Sequence, residues 1–319
     1  MGAGASIMDT IAVTSHSNQD SYEASLAKNG RTFHWARRFL GAKHGADAAR
    51  LYAFCRLLDD LADGDLPHGA ERLSVICDDI ARLANDPQAV LTDPDMAEFA
   101  PFMVQSQISL SALQHLIDGL LFDQGEVRLA DEAALVTYGY QVAGTVGVMM
   151  CPVLSCHGKV AQDFAIDLGI AMQFTNIARD VLEDAKMGRR YLPASWVAGL
   201  SPDEIEAGAL SGDASIIRTV QSAIRQLLGR ADAYYKSGMS GLCFLPKRAQ
   251  IAIAIAAYSY RQIGVQLLAN DVNWHEGRTV TSTATKARVS LKALSYLAPK
   301  SAPSSHNERL HTPLVGYAK

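Results

Sequence analysis

Residues 165–178 form an almost unbroken apolar run, and it carries two amides, Gln173 and Asn176, and a single charge, Asp167. Asp180 and Asp184 follow, and then a basic loop, GRRYLP, at 188–193. At about 100° per residue, Gln173, Asn176, Asp180 and Asp184 share one helical face. Polar groups on an apolar helix need partners, because leaving one unsatisfied costs about 1–3 kcal/mol. The partner that suits two amides and two carboxylates is hydrated magnesium carrying a diphosphate.

A second stretch has the same design. In LYAFCRLLDDLADGD, residues 51–65, Tyr52, Arg56, Asp59 and Asp63 fall at i, i+4, i+7 and i+11, again on one face. Either stretch alone could be a solvated acidic face, since an exposed like-charge pair costs only about 0.2–0.5 kcal/mol. Two such faces, with amides and an arginine among the carboxylates, argue for a two-walled site for a hard cation. Arg56, Arg179, Arg189 and Arg190 are placed to neutralise a departing diphosphate. A cavity that ionises an allylic bond must be dry and lined by apolar and aromatic groups, for which Tyr52, Tyr138, Tyr140 and Tyr260 are candidates.

The rest of the chain narrows the choice. Its 319 residues are 49% hydrophobic with a net charge of −4, enough for a sizeable core and without a basic field for nucleic acid. Five scattered cysteines show no zinc-site spacing, which suits a reducing compartment, so the protein is expected in the cytoplasm, and the nine histidines form no cluster from which a zinc site would be expected. No run reaches the roughly 18 apolar residues of a membrane span, so any membrane contact, at the inner face, would be peripheral. Helical periodicity recurs throughout, with no alternating strand pattern and no glycine-rich nucleotide loop. The expected fold is therefore all-α, a single helical bundle around a central apolar cavity. Residues 1–20 read as a flexible leader, 21–298 as the enzyme domain, and 299–319, with three prolines and several serines, as a disordered tail.

YAFCRLLDDLAD and QFTNIARDVLEDAKMGRRYLP resemble the two aspartate-rich signatures of the squalene/phytoene synthase family. TYGYQVAGTVG resembles its middle motif, and GRTFHWARRFL its N-terminal Ser-Lys-Ser-Phe region, with Gly30 and Thr32 in place of the serines and Arg31 in place of the lysine. YSYRQIG with the following W-x-x-x-R-T resembles the C-terminal region of bacterial members. The resemblance covers roughly residues 25–295 and implies an isoprenoid-synthase-type bundle. It implies that Asp59, Asp63, Asn176, Asp180 and Asp184 hold magnesium, with manganese as a substitute. Gln173, Arg56 and Arg179 would contact diphosphate, Tyr52, Tyr138 and Tyr260 would line the reaction centre, and Arg31, Thr32, Phe33, Arg189 and Arg190 would bind substrate.

The implied reaction joins two geranylgeranyl diphosphates head to head through prephytoene diphosphate to phytoene, without NADPH. The alternatives are a squalene or dehydrosqualene synthase using farnesyl diphosphate, a class I terpene cyclase, and a non-enzymatic assembly factor of the same fold. Small residues one to two turns before Tyr52, namely Gly45, Ala48 and Ala49, are expected to leave depth for the longer prenyl chain. Oligomeric state is not legible in the sequence.

Overall fold

The structure is a computed structural model that describes residues 35–277, 288–289, 291–294, 301–303 and 305–317. Among these residues it is built from helices: α1 Ala42–Ala62, α2 Gly69–Asn85, α3 Pro94–Gln105, α4 Leu110–Asp123, α5 Glu132–Gly139, α6 Thr145–Val153, α7 Lys159–Lys186, α8 Pro202–Ser211, α9 Ala214–Ser240 and α10 Lys247–Ala269. A π-helical turn, Tyr140–Gly144, joins α5 to α6 without a break. No named strand occurs among the described residues; Arg128 and Arg190 form one isolated parallel bridge. The all-α expectation holds.

The starts of the helices are written locally. Asp93, Ser109, Asp131, Ser201 and Asp213 each accept a backbone N–H as the N-cap of α3, α4, α5, α8 and α9. Pro94 and Pro202 stand at first-turn positions, where a missing N–H costs nothing. Helix α1 stops at Asp63 and Gly64, the glycine adopting φ 78°.

Helix α7 is the axis. It packs against α9, α6, the π turn, α10 and α8, and Phe174, Ile170, Ala171 and Ala178 are wholly buried. Each large apolar side chain so buried contributes about 1.5–3 kcal/mol. The middle motif is explained here. A Cβ on Gly147 would lie 2.4 Å from the Ala165 carbonyl, and one on Gly169 2.4 Å from the Ala143 carbonyl, so these glycines let two helix backbones touch. A second core fills the space among α1–α4 around Leu58, Leu73, Ile76 and Leu113. The segments 132–153 and 247–269 are long and apolar enough to cross a membrane, yet half of each is buried within the fold.

The tail departs from expectation. Residues 308–314 form a 3-10 helix, Glu308–Leu314, that packs on α5. Leu314 is buried, and the Tyr234 hydroxyl donates to the Leu310 carbonyl at 2.8 Å. His306 and His311, far from any cysteine or histidine cluster in sequence, both reach Asp167 on α7. The part of the tail from 305 to 317 is therefore a docked strap, held by isolated anchors that a periodicity search does not register. The leader, residues 1–20, and the N-terminal motif residues Arg31, Thr32 and Phe33 lie outside the described residues.

Candidate active site

Three helices end at one place, and each ends in acid. Helix α1 delivers Asp59 and Asp63, α4 ends on Asp123, and α7 carries Asp180 and Asp184 within its last two turns. A helix C-terminus already bears roughly half a negative charge, so carboxylates there are unfavourable without a cation. The sequence reading missed Asp123. Its signal was an acid closing the apolar run LLFD at 120–123, with Leu121 and Phe122 exposed beside it.

Arginines and tyrosines manage this charge. Arg56 Nη1 donates to Asp59 Oδ2 at 2.6 Å, and its other Nη pairs with Asp60. Arg179 grips its neighbour Asp180 with two nitrogens, Nε at 2.7 Å from Oδ1. Arg189 Nη2 reaches across to Asp63 Oδ1 at 3.6 Å, tying the loop after α7 to the end of α1. The hydroxyls of Tyr138 and Tyr191 donate to the two oxygens of Asp123 at 2.8 and 2.9 Å, and their rings stack 4.8 Å apart. Asn176 Nδ2 donates to Gln173 Oε1 at 3.3 Å.

Burial pushes Asp59 and Asp123 up to about 6, the first despite Arg56 and the second despite its two tyrosine hydroxyls. Burial, with Asp180 adding repulsion, pushes Asp184 up to about 8. Burial and Tyr260 raise Tyr52 to about 12. Carboxyls so raised form a site with excess negative charge, which a divalent cation relieves. The ligand set is oxygen-rich and holds several carboxylates, so Asp59, Asp63, Asn176, Asp180 and Asp184 fit a hard cation such as magnesium. The Arg56 Nε is buried with no partner, a donor suited to an anionic group brought in with the metal.

From this mouth a cavity of about 490 Å³ runs inward. Tyr52, Arg56, Asp59, Asp123, Tyr138, Gln173, Asn176 and Tyr260 line its polar end. Its α7 wall extends from Asn176 back to Ala161, about 22 Å of helix axis, and is apolar beyond Gln173. Cys55 lines it as well.

Three sequence expectations change. Tyr140 turns away from the cavity, its hydroxyl 3.1 Å from His115 Nδ1. Arg190 is buried and donates to the Leu192 carbonyl at 3.0 Å, so it fastens the loop and is not placed for substrate. The reason is alternation: residues 189–191 run extended against 127–129, and Arg189 and Tyr191 face the acids while Arg190 faces the other way. Ala49 is buried in the helix packing, and Ala48 lines the cavity in its place. Relative to Tyr52, Ala49 lies about 60° round the helix on the side opposite Cys55, whereas Ala48 lies about 40° toward Cys55.

An all-α barrel of helices with an acidic mouth and a dry interior is the architecture of an isoprenoid synthase. The Squalene/phytoene synthase family model matches residues 26–289. A phytoene synthase of Pseudescherichia vulneris is 33% identical over 286 residues, covering 86% of this chain and 90% of that protein. A phytoene synthase of Thermus thermophilus is 38% identical over 224 residues, covering 70% and 73%. Among solved structures, a dehydrosqualene synthase in complex with ligand superposes with TM-score 0.73 at 25% identity, covering 88% of this chain and 97% of that one. The chain belongs to the squalene/phytoene synthase family of prenyltransferases.

Proposed function

We propose that the chain condenses two molecules of geranylgeranyl diphosphate head to head into phytoene, a step of carotenoid biosynthesis. The observation that carries this reading is the continuity of one cavity from the acidic mouth to an apolar end lined by small residues, among them Ala48, Gly147, Ala161, Ala165, Gly169 and Gly241. The relatives named phytoene synthase support the same substrate class. Magnesium held by Asp59, Asp63, Asn176, Asp180 and Asp184 would supply Lewis acidity to the leaving diphosphates.

The chain's own residues do the rest. Arg56 and Arg189 offset diphosphate charge, and Gln173 holds Asn176 in place by accepting its amide N–H. One substrate loses diphosphate, and its allyl cation is attacked by the double bond of the second. Loss of a proton closes a cyclopropane, giving prephytoene diphosphate. Departure of the second diphosphate, ring opening and loss of a second proton give phytoene. The apolar walls exclude water from each cation, and the faces of Tyr52, Tyr138 and Tyr260 stabilise the positive charge. The last step is an elimination, so NADPH takes no part. The reading places the enzyme in the cytoplasm, with exposed Leu121, Phe122 and Met187 near the mouth suited to a membrane surface that receives the hydrocarbon.

The test is incubation with labelled geranylgeranyl and farnesyl diphosphates, singly and in competition, with and without NADPH. Phytoene from geranylgeranyl diphosphate, indifferent to NADPH, is expected. Squalene or dehydrosqualene as the preferred product, or a cyclised terpene, overturns the proposal.

A further inference from the structure

Asp167 is the lone charge in the apolar run of α7, and its side chain is fully buried. Its two oxygens meet two imidazoles from the C-terminal strap. His306 Nε2 lies 2.7 Å from Oδ2, and His311 Nε2 lies 2.8 Å from Oδ1. The Ser237 hydroxyl of α9 joins the same carboxylate. The two rings stand 4.3 Å apart, centroid to centroid, and His306 packs edge-on against Phe164. On its far side, His311 turns Nδ1 toward Asp163 Oδ1, 4.0 Å away, and Asp163 is itself held by Lys159 Nζ at 3.0 Å.

We propose that Asp167, His306 and His311 form a binding site for a zinc-class divalent metal that staples the C-terminal strap to α7. One ligand atom from each of the three residues can be chosen so that all lie within 4.8 Å of one another. The histidines are separated by four residues, within the H-x₃₋₅-H spacing of zinc sites. Two imidazolium charges about 4 Å apart repel by about 4 kcal/mol at an effective dielectric near 20, so the two rings are not both charged in the metal-free latch. The same Nε2 atoms that donate to Asp167 can turn lone pairs to a metal, and a divalent ion taken up here displaces those protons while it balances the buried carboxylate. The Asp163 carboxylate, 4.0 Å behind His311 Nδ1, adds negative charge on the far side of that ring, which favours a bound cation. Nitrogen ligands separate this site from the all-oxygen mouth and select a transition metal over magnesium. The site lies six residues from Gln173, about 9 Å along α7, so its role is to fasten the strap.

The test uses the full chain, stripped with chelator, reloaded with zinc in excess magnesium so that the acidic mouth stays occupied, and desalted. Elemental analysis should find about one retained zinc per chain in wild type and none in His306→Gln or His311→Gln. Zinc should raise the melting temperature of wild type by about 5 °C or more and leave both variants unmoved. Cobalt in place of zinc should give wild type the intense visible bands of a tetrahedral site, a readout that needs no variant to fold. Wild type that retains no zinc, variants that retain as much as wild type, or cobalt without those bands would each overturn the proposal.

Discussion

Helix α7 carries two sets of acid that meet opposite fates. Near its start, Asp167 is buried, and burial alone would raise its pKa, but His306, His311 and Ser237 hold it below the usual carboxylate range. Near its end, burial with Asp180 alongside drives Asp184 up to about 8. One carboxylate is supplied with partners by the fold itself. The other belongs to a group of acids from three helix ends whose own arginines offset only part of the charge. The difference separates an acid whose hydrogen-bond partners all come from this chain from acids left short of counter-charge.

The largest expected effect falls at the open end. Asp59→Asn and Asp180→Asn should each lower turnover by about 10³-fold or more, since each removes a carboxylate proposed to hold the metal, together with its charge. Asp59→Asn should not lower stability, because burial and neighbouring acids already disfavour its charge, whereas Asp180→Asn also takes the carboxylate partner from Arg179 and should lower it. Steady-state product formation with thermal melts checks both, and near-normal activity in either variant would erase the distinction between the two ends.

At the closed end the order of effects reverses. Removing residues 301–319 leaves Asp167 buried without its imidazoles and should cost about 3–5 kcal/mol of stability, while turnover well below the melting transition persists. Denaturant titration of the truncated chain measures this, and an unchanged midpoint would show the strap to be ornamental.

The pH dependence of stability sharpens the contrast. In metal-free protein Asp184 keeps a proton that the unfolded chain releases. Its contribution is therefore fully present below the unfolded value near 3.8 and is lost as pH rises toward about 8. Asp184→Asn should be more stable than wild type near pH 8 by roughly 2–4 kcal/mol, with little difference near pH 4. Asp167, held low, contributes stability above its unfolded value that is lost as pH falls, so Asp167→Asn should flatten the acid limb instead. Denaturant midpoints across this range, taken in chelator, decide between these slopes.

The apolar side of the open end gives the smallest effect. Ala48→Trp fills the cavity beside Tyr52 and should cost the longer prenyl chain about 1–3 kcal/mol relative to farnesyl diphosphate. Ala49→Ser, buried outside the cavity, should leave that preference unchanged. Competition between the two diphosphates reads it, and a tryptophan variant with unaltered preference would remove Ala48 from the cavity wall.

What the sequence made legible follows from where information is local. Helical period and caps are local, and the spacing of Tyr52, Arg56, Asp59 and Asp63, or of Gln173, Asn176, Asp180 and Asp184, sets a shared face before any tertiary contact forms. Arg190 was misread because sidedness in an extended loop depends on its pairing with residues 127–129, some sixty positions earlier. Asp123 was missed because a single acid at a helix end acquires meaning only when Tyr138 and Tyr191 converge on it. The strap was read as disordered because its prolines and serines describe the segment alone, whereas Leu314, His306 and His311 dock into a surface built by α5, α7 and α9.

That Asp184, near the end of α7, is held partly protonated until a divalent cation arrives is tested most directly by magnesium-binding calorimetry near pH 7. The titration is run in buffers of different ionisation enthalpy, on wild type and Asp184→Asn. Wild type should release on the order of one proton per chain as magnesium binds, and Asp184→Asn markedly less. Binding without proton release, or the same release from both proteins, would contradict it.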